Sequence, residues 1–346
     1  MTKMDGKLIL HIGMAKTGST SIQDALALNR DYLIKKDVYY AATNGKDKTM
    51  FARIFRKNPY TDNYLKITYK TNDRIREALD KSILRWEDLL EKNTCSNTII
   101  SCEGLTFLDH DEINTLKDFL LKYFDEKEIM VLIYVRDPIS FVKSMVAWAV
   151  KTGESSMETA IYNHKNNNHF DYIYRYEKLF KNIIIRPFNK KSFYKGELMD
   201  DFFNTCEIDI KTTESMYDRK NESVGMYSAV ILSGLNEKYP IFNEDGINKQ
   251  RGMNHQLPFE KFLNIFVDAP DKNFDISLNL KKSDKKRFNK VIDHVNTYLD
   301  DKDKFEYVDN YSDAKNIPKS LSDIPNDFYI DLINEYNKFI EKLLKK

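Results

Sequence analysis

Residues 11–23 read HIGMAKTGSTSIQ, and this stretch decides the fold that the rest of the chain is expected to adopt. An apolar run precedes it, and apolar residues at helical spacing follow it. Gly13 and Gly18 permit backbone turns that a Cβ would hinder. Thr20 with Gln23 fits a capping box at the start of a helix. The stretch therefore predicts a strand, a loop with two glycines and a helix.

Further apolar runs of strand length recur along the chain. They are rich in Ile and Val, and helix-length segments separate them. Together with the run before the loop they are Lys7–Ile12, Val38–Ala41, Thr98–Cys102, Ile129–Val135 and Ile183–Pro187. Strands that alternate with helices predict βαβ units, so we expect an α/β fold with a parallel sheet flanked by helices. Ligands of such sheets bind at the carboxyl ends of the strands.

The character of the chain changes after about residue 236. From there to the end strand-like runs are absent, and the sequence becomes helical and rich in Lys, Asp and Asn. We therefore predict a core over residues 1–236 and a helical C-terminal region over residues 237–346. The last segment predicts an amphipathic helix with one apolar face, formed by Phe328, Leu332, Tyr336, Phe339 and Leu343.

Charge and composition exclude several classes of protein. Lys plus Arg number 54 against 53 for Asp plus Glu, so no overall field attracts nucleic acid or an anionic membrane. The sequence has no run of about 18 apolar residues, so no membrane span is expected. The N-terminus lacks the apolar stretch of a signal peptide, and Cys95, Cys102 and Cys206 suit no zinc or disulfide pattern. We expect a cytoplasmic protein.

The loop within residues 11–23 has the features of a site for a phosphate-like anion. The free N–H groups of residues 17–21 and the helix dipole are expected to face one space. Lys16 adds a full charge, and hydroxyl donors come from Ser19, Thr20 and Ser21. In the nucleotide triphosphate loop, G-x-x-x-x-G-K-[ST], a Lys follows the second Gly, whereas here Ser19 stands at that place. The alternative is a strand–turn–helix junction in which these residues only cap the helix.

A second candidate element spans residues 129–146, which read IMVLIYVRDPISFVKSMV and predict a strand followed by a helix. Pro138 suits the first helical position. Arg136 leaves the strand at its carboxyl end, where a guanidinium can bind a phosphate through two hydrogen bonds. Ser144 follows eight residues later and can add a hydroxyl. Alternatively, Arg136 pairs with a surface carboxylate and Ser144 is merely exposed.

Both elements resemble those of sulfotransferases that use 3′-phosphoadenosine-5′-phosphosulfate (PAPS). The 5′-phosphosulfate loop of that family is usually written K-[TS]-G-[TS]-[TS], and the matching residues here are Lys16, Thr17, Gly18, Ser19 and Thr20. In the family an Arg and a Ser eight residues later contact the 3′-phosphate, and Arg136 and Ser144 keep that interval. The resemblance spans roughly residues 7–235 and points to bacterial, carbohydrate-type members. It implies a P-loop-kinase-like fold and a mechanism without a metal.

The resemblance also suggests catalytic residues. Lys16 is the candidate to stabilise charge on the departing phosphate oxygen. Glu103 stands in the position of the family's S-E-G-L-like motif and is the candidate base that removes the acceptor proton. His11 is the rival base, because its ordinary pKa lies near the working range. The alternatives are a Glu103 that caps a helix or pairs with Lys16, and a His11 that packs in the core.

These elements predict a sulfotransferase that transfers a sulfonate group from PAPS to a hydroxyl or amine and releases 3′-phosphoadenosine-5′-phosphate (PAP). The expected acceptor is a carbohydrate or glycolipid, and residues 237–346 are a candidate region for binding it. Two other functions are open. One is a P-loop kinase, for which Asp137 would hold a metal, and the other is a nucleotide-binding module without catalysis.

Overall fold

Five parallel strands form the central sheet of the protein in this computed structural model. The strands are β1 (Lys7–Ile12), β2 (Val38–Tyr40), β3 (Asn97–Cys102), β4 (Ile129–Val135) and β5 (Ile183–Pro187), in the order β2-β3-β1-β4-β5. The predicted α/β fold with a parallel sheet is confirmed, and β2 and β3 differ from their predicted bounds by one residue each. The closer likeness to P-loop kinases stays a prediction.

The centre of the sheet is mainly apolar on both faces, as expected where helices cover a parallel sheet on both sides. All seven residues of β4 are buried, and the side chains of Leu8, Ile9 and Ile12 in β1 have no exposed surface. Burying one such side chain stabilises the fold by about 1.5–3 kcal/mol. Because Ile9 pairs with residues of both β3 and β4, Ile9→Ala would cost about 2–5 kcal/mol.

Helices separate the strands along the chain and continue after the last strand of the sheet. They include α1 (Ser19–Leu28), α2 (Arg30–Ile34), α3 (Gly45–Phe51), α4 (Asn63–Tyr69), α5 (Asn72–Glu91), α6 (His110–Leu120), α7 (Pro138–Thr152), α8 (Met157–Asn166), α9 (Asp171–Glu177), α10 (Leu198–Thr205), α11 (Met226–Lys238), α12 (Lys282–Asn296) and α13 (Asn326–Leu344). Within the described part of the chain, none of the helices is both long enough and apolar enough to cross a bilayer.

The structure describes residues 6–42, 45–213, 216, 224–243, 246–248, 265–314, 317–318 and 320–344.

The chain packs as two compact units. The first unit comprises Met1–Asp137, His169–Arg219 and Asp293–Phe305 and contains the five-stranded sheet. The second comprises Pro138–Asn168, Lys220–Ile292 and Glu306–Lys346. The functional boundary predicted at residue 236 stays a prediction.

The C-terminal region contains the long helices α12 and α13, but it also contains strands that the sequence did not predict. β6 (Phe242–Asn243) and β7 (Gly246–Ile247) form a small antiparallel ladder. Strands of two residues have too few positions to show an alternating pattern. Of the apolar face predicted for α13, Phe328 is buried and Tyr336 is 45% exposed. The side chain of Leu343 lies outside the described part of the chain.

Candidate active site

Three loops that carry predicted site residues follow neighbouring strands at one edge of the sheet. Ile12 at the end of β1 is paired with Cys102 at the end of β3. Adjacent strands are about 4.8 Å apart, so Gly13 and Glu103, which come directly after this pair, are neighbours. β4 pairs with β1 on its other side, and Arg136 follows β4 at the same edge.

The backbone of the first loop presents N–H groups at the start of α1. Lys16 (φ 64°) and Gly18 (φ 73°) both have left-handed backbone conformations. For Lys16 this conformation costs roughly 1–2 kcal/mol. The first helical hydrogen bond runs from the Ile22 N–H to the Gly18 carbonyl at 2.9 Å. The N–H groups of the turn before Ile22 therefore have no partner within the helix and lie at the positive end of its dipole.

The capping box predicted at the start of α1 is wrong. The N-cap is Gly18, which has no side chain to accept a hydrogen bond, and Thr20 is exposed. Gln23 is buried, and its Nε2 donates to Ser101 Oγ at 3.2 Å and to the Ser101 carbonyl at 3.4 Å. Because no side chain caps α1, the N–H groups of its first turn stay available to an anion.

The hydroxyls of the loop fall into two groups. Thr17 Oγ1 donates to the Met14 carbonyl at 2.7 Å, and Ser19 Oγ donates to the same carbonyl at 3.2 Å. Both side chains are buried, so they brace the loop from within. Thr20 is exposed and Ser21 is half-buried. A ligand would therefore reach the hydroxyls of Thr20 and Ser21 and the backbone N–H of Ser19. The prediction of a free N–H at Thr17 is wrong, because this group donates to the Met14 carbonyl at 3.3 Å.

Both glycines of the loop lie where other atoms approach closely. A Cβ on Gly13 would lie 2.4 Å from Ser19 Oγ and 2.9 Å from Glu103 Cγ. A Cβ on Gly18 would lie 2.5 Å from Leu198 Cδ2. Such separations are well below van der Waals contact. Glycine at position 13 therefore lets the Glu103 side chain pack against the loop.

Glu103 is the first residue of a 3₁₀ turn, Glu103–Phe107, that begins where β3 ends. Its partly buried carboxyl has a hydrogen bond with Ser19 and feels the charges of Lys48 and Lys16. Burial has the largest effect and raises the pKa of Glu103 above its ordinary value, although both lysines and the hydrogen bond oppose the rise. A carboxylate with a raised pKa is a stronger base, which suits Glu103 for proton removal.

His11, the rival base, lies in the core. Its side chain has no exposed surface, and its Nδ1 is 2.8 Å from Ser101 Oγ. The rings of Tyr134 and Phe202 pack edge-on against the imidazole. Burial lowers the pKa of His11 to about 3, so the ring is neutral. An acceptor that enters from solvent would not reach this ring, and the structure favours a packing role for His11.

Arg136 lies at the carboxyl end of β4 with its guanidinium half-buried. Burial lowers the pKa of Arg136, and the charge of Asp137 opposes this. Among the described residues of the first unit, the charge of Asp137 acts on this guanidinium, but no side chain or carbonyl forms a hydrogen bond or salt bridge with it. A partly desolvated cation that forms no hydrogen bond within its unit is stabilised by a bound anion. Arg136 therefore has the character of an anion-binding residue.

Ser144 belongs to the second unit, where it is half-buried in α7. The neighbouring Lys143 forms an ion pair with Asp275, with Nζ and Oδ1 separated by 2.5 Å. The charge of Lys143 is thus balanced within the second unit. The joint action of Ser144 with Arg136 on one phosphate stays a prediction.

The sequence did not predict the cleft of about 340 Å³ that opens beside Glu103. Its lining includes three cations, Lys48, Arg53 and Arg56. A signal was present, because residues 48–57 read KTMFARIFRK, with four cations and no carboxylate. Such a stretch is usually a solvated surface, and only the packing of α3 and the turn after it shows that three of these cations line a cleft.

Comparison with models of protein families and with curated proteins gives no match to this chain. The class of the protein is therefore assigned from its own fold and site. It is an α/β protein with a parallel sheet and a candidate anion site where the strands β3, β1 and β4 end.

Proposed function

We propose that the chain is a PAPS-dependent sulfotransferase that transfers a sulfonate group to a hydroxyl or amine of an acceptor. One observation carries the proposal: the loop after β1, Glu103 and Arg136 follow three neighbouring strands at one edge of the sheet. The loop also argues against a kinase. Ser19 stands where the kinase loop has its Lys, and its buried hydroxyl donates to the Met14 carbonyl.

The residues present fit the donor PAPS. Lys16 and the uncapped N–H groups at the start of α1 suit the 5′-phosphosulfate end of the molecule. Arg136, half-buried and without a hydrogen bond or salt bridge among the described residues of the first unit, suits the 3′-phosphate. Ser144 is the proposed second contact to that phosphate.

The proposed reaction needs a base and a group that stabilises the leaving phosphate. The acceptor oxygen attacks sulfur in line, the bond from sulfur to the 5′-phosphate oxygen breaks, and PAP leaves with that electron pair. Glu103 takes the proton of the acceptor, and Lys16 stabilises the charge on the departing oxygen. The Lys16 charge acts on the Glu103 carboxyl, which is consistent with both residues serving one reaction.

Incubation with sulfur-labelled PAPS and the carbohydrate and glycolipid fractions of a cell extract tests the proposed function. We expect label to appear in one of these fractions, and we expect Glu103→Gln to transfer very little. Transfer of the γ-phosphate of ATP in the presence of Mg²⁺, with no transfer from PAPS, would instead favour a kinase.

A further inference from the structure

The cleft beside Glu103 carries more positive charge than proton removal requires. Lys48, Arg53 and Arg56 contribute three cations to its lining. Apart from Glu103 itself, Asp62 is the carboxylate among the lining residues. Lys48 is balanced by Asp24, with Nζ and Oδ1 3.7 Å apart. The excess of positive charge therefore lies at Arg53 and Arg56, which share the carboxylate of Asp62, and this excess favours a negatively charged ligand.

Arg53 is held in one orientation by three contacts. Its Nε donates to Asp62 Oδ2 at 3.0 Å, and its Nη1 donates to the Thr49 carbonyl at 2.5 Å. Its guanidinium carbon lies 4.6 Å from the centroid of the Tyr64 ring. Because folding already orders this side chain, a ligand that binds it pays little further entropy.

Arg56 is less fully paired than Arg53. Its Nη1 lies 3.6 Å from Asp62 Oδ2, which is too long for a hydrogen bond. Asp62 already accepts hydrogen bonds from Arg53 and from the Leu65 N–H, which it caps at the start of α4. One carboxylate thus serves two guanidinium groups. Arg56 therefore keeps hydrogen-bond donors for a second anion.

The cleft also has an aromatic wall. Phe107 ends the 3₁₀ turn that begins with Glu103, lines the cleft and is 71% exposed. Binding sites commonly combine an apolar or aromatic surface with a few polar groups that orient the ligand. A sugar ring presents C–H groups that pack on an aromatic face, while its hydroxyls stay available to polar residues. Phe107 gives the cleft such a face beside the candidate base.

We propose that this cleft binds an acidic sugar, a saccharide acceptor that carries a carboxylate or a phosphate or sulfate ester. In this arrangement Phe107 packs on the ring, Arg53 and Arg56 pair with the anion, and Glu103 faces the hydroxyl to be modified. The inference rests on the proposed function and adds the class of acceptor to it. Guanidinium groups match the geometry of carboxylates and phosphates, so they would select the charge of the sugar.

Three sugars that differ at one carbon test the inference: glucose, glucuronate and glucose 6-phosphate. Each is titrated calorimetrically into the full chain, with and without PAP. We expect at least one of the acids to bind about tenfold to a hundredfold more tightly than glucose, the range for a hydrogen bond to a charged group. The acid that binds more tightly, glucuronate or glucose 6-phosphate, shows whether the cleft prefers a carboxylate or a phosphate ester.

Two variants locate the preference for an acid. Arg56→Gln should remove it. Lys57→Gln should keep it, because Lys57 carries the same charge one residue further on but pairs with Asp111 at 2.6 Å and is not part of the cleft lining. Arg56 is half-buried and has one long ion pair, so its replacement should leave the fold intact, and thermal melting of each variant checks this.

Three results would overturn the inference: equal binding of glucose and both acids, no binding of either acid, or an acid preference that persists in Arg56→Gln. The binding of PAP tests the proposed function separately. If PAP binds and no acid is preferred, the acceptor inference fails alone. If PAP does not bind but the acid preference depends on Arg56, the donor assignment fails alone.

Discussion

A Cβ on Gly13 would lie 2.9 Å from Cγ of Glu103. The loop after β1, which is the candidate anion site, and the candidate base are therefore in contact across β1 and β3, whose last residues pair in the sheet. The proposal depends on this contact. A donor held by the loop and an acceptor held at the carboxylate would meet within a few ångströms, the distance at which an in-line transfer takes place.

Replacement of Gly13 should damage the site. In Gly13→Ala the new Cβ would lie 2.4 Å from Ser19 Oγ, so the loop or Glu103 must move. We expect a large loss of turnover and a loss of stability of roughly 1–3 kcal/mol, as overpacking gives. Gly234→Ala in α11 is the control, since a Cβ there meets nothing within 4 Å. Parent-like turnover of Gly13→Ala would show that the contact is dispensable.

Lys16 should act mainly on the chemical step. Lys16 is proposed to stabilise the negative charge that develops on the phosphate oxygen as it leaves. Lys16→Ala should therefore slow turnover at saturating PAPS by roughly 10²–10³. Lys35→Ala removes the same charge from an exposed position after α2 and should have no effect. Comparable turnover of the two variants would remove Lys16 from the catalytic role.

The base is identified by comparing two variants. Glu103→Gln keeps the shape of the side chain but cannot accept a proton, so the rate should fall by about 10²–10⁴, with PAP affinity unchanged. His11→Asn disrupts the hydrogen bond with Ser101, so it should lower the melting temperature while the rate of the folded protein stays near that of the parent. The reverse pattern, with an active Glu103→Gln and an inactive but folded His11→Asn, would make His11 the base.

Glu103 also predicts how stability depends on pH. Its pKa is raised in the folded state, so the folded protein keeps this proton at pH values where the unfolded chain has lost it. The free energy of unfolding therefore falls as pH rises from the unfolded to the folded pKa, and the loss is complete above that window.

Glu103→Gln removes this loss and should melt at a higher temperature than the parent at neutral pH. The difference should disappear below the ordinary Glu pKa of about 4.3. Thermal denaturation across this pH range measures the effect, and Glu158→Gln, an exposed site on α8, is the control. A parent that melts at the same temperature as Glu103→Gln at neutral pH would contradict the raised pKa.

Much of the fold could be predicted from the sequence because its signals are local. The strands of the sheet are short runs rich in Ile and Val. One of them, Ile129–Val135, is apolar throughout and fully buried, as expected in a sheet covered on both faces. The order of strand and helix along the chain then places the loop after β1, Glu103 and Arg136 at strand ends. The structure shows that these ends belong to neighbouring strands.

The rest depends on packing that no short segment encodes. Thr20 and Gln23 have the spacing of a capping box, but the left-handed Gly18 takes the N-cap and Gln23 is drawn to Ser101 on β3. Lys48 and Arg53 lie in a stretch that looks like solvated surface, and they line a cleft only because the chain returns to Glu103 some fifty residues later.

Calorimetric titration of PAP and of ATP, each with EDTA and with Mg²⁺, tests the central claim most directly. We predict that PAP binds without a divalent ion and that ATP binds weakly, because ATP lacks the 3′-phosphate assigned to Arg136. Arg136→Ala should weaken PAP binding by roughly 1.5–3 kcal/mol, whereas Arg74→Ala, an exposed site on α5, should not change it. Tight, Mg²⁺-dependent binding of ATP with no affinity for PAP would contradict the account.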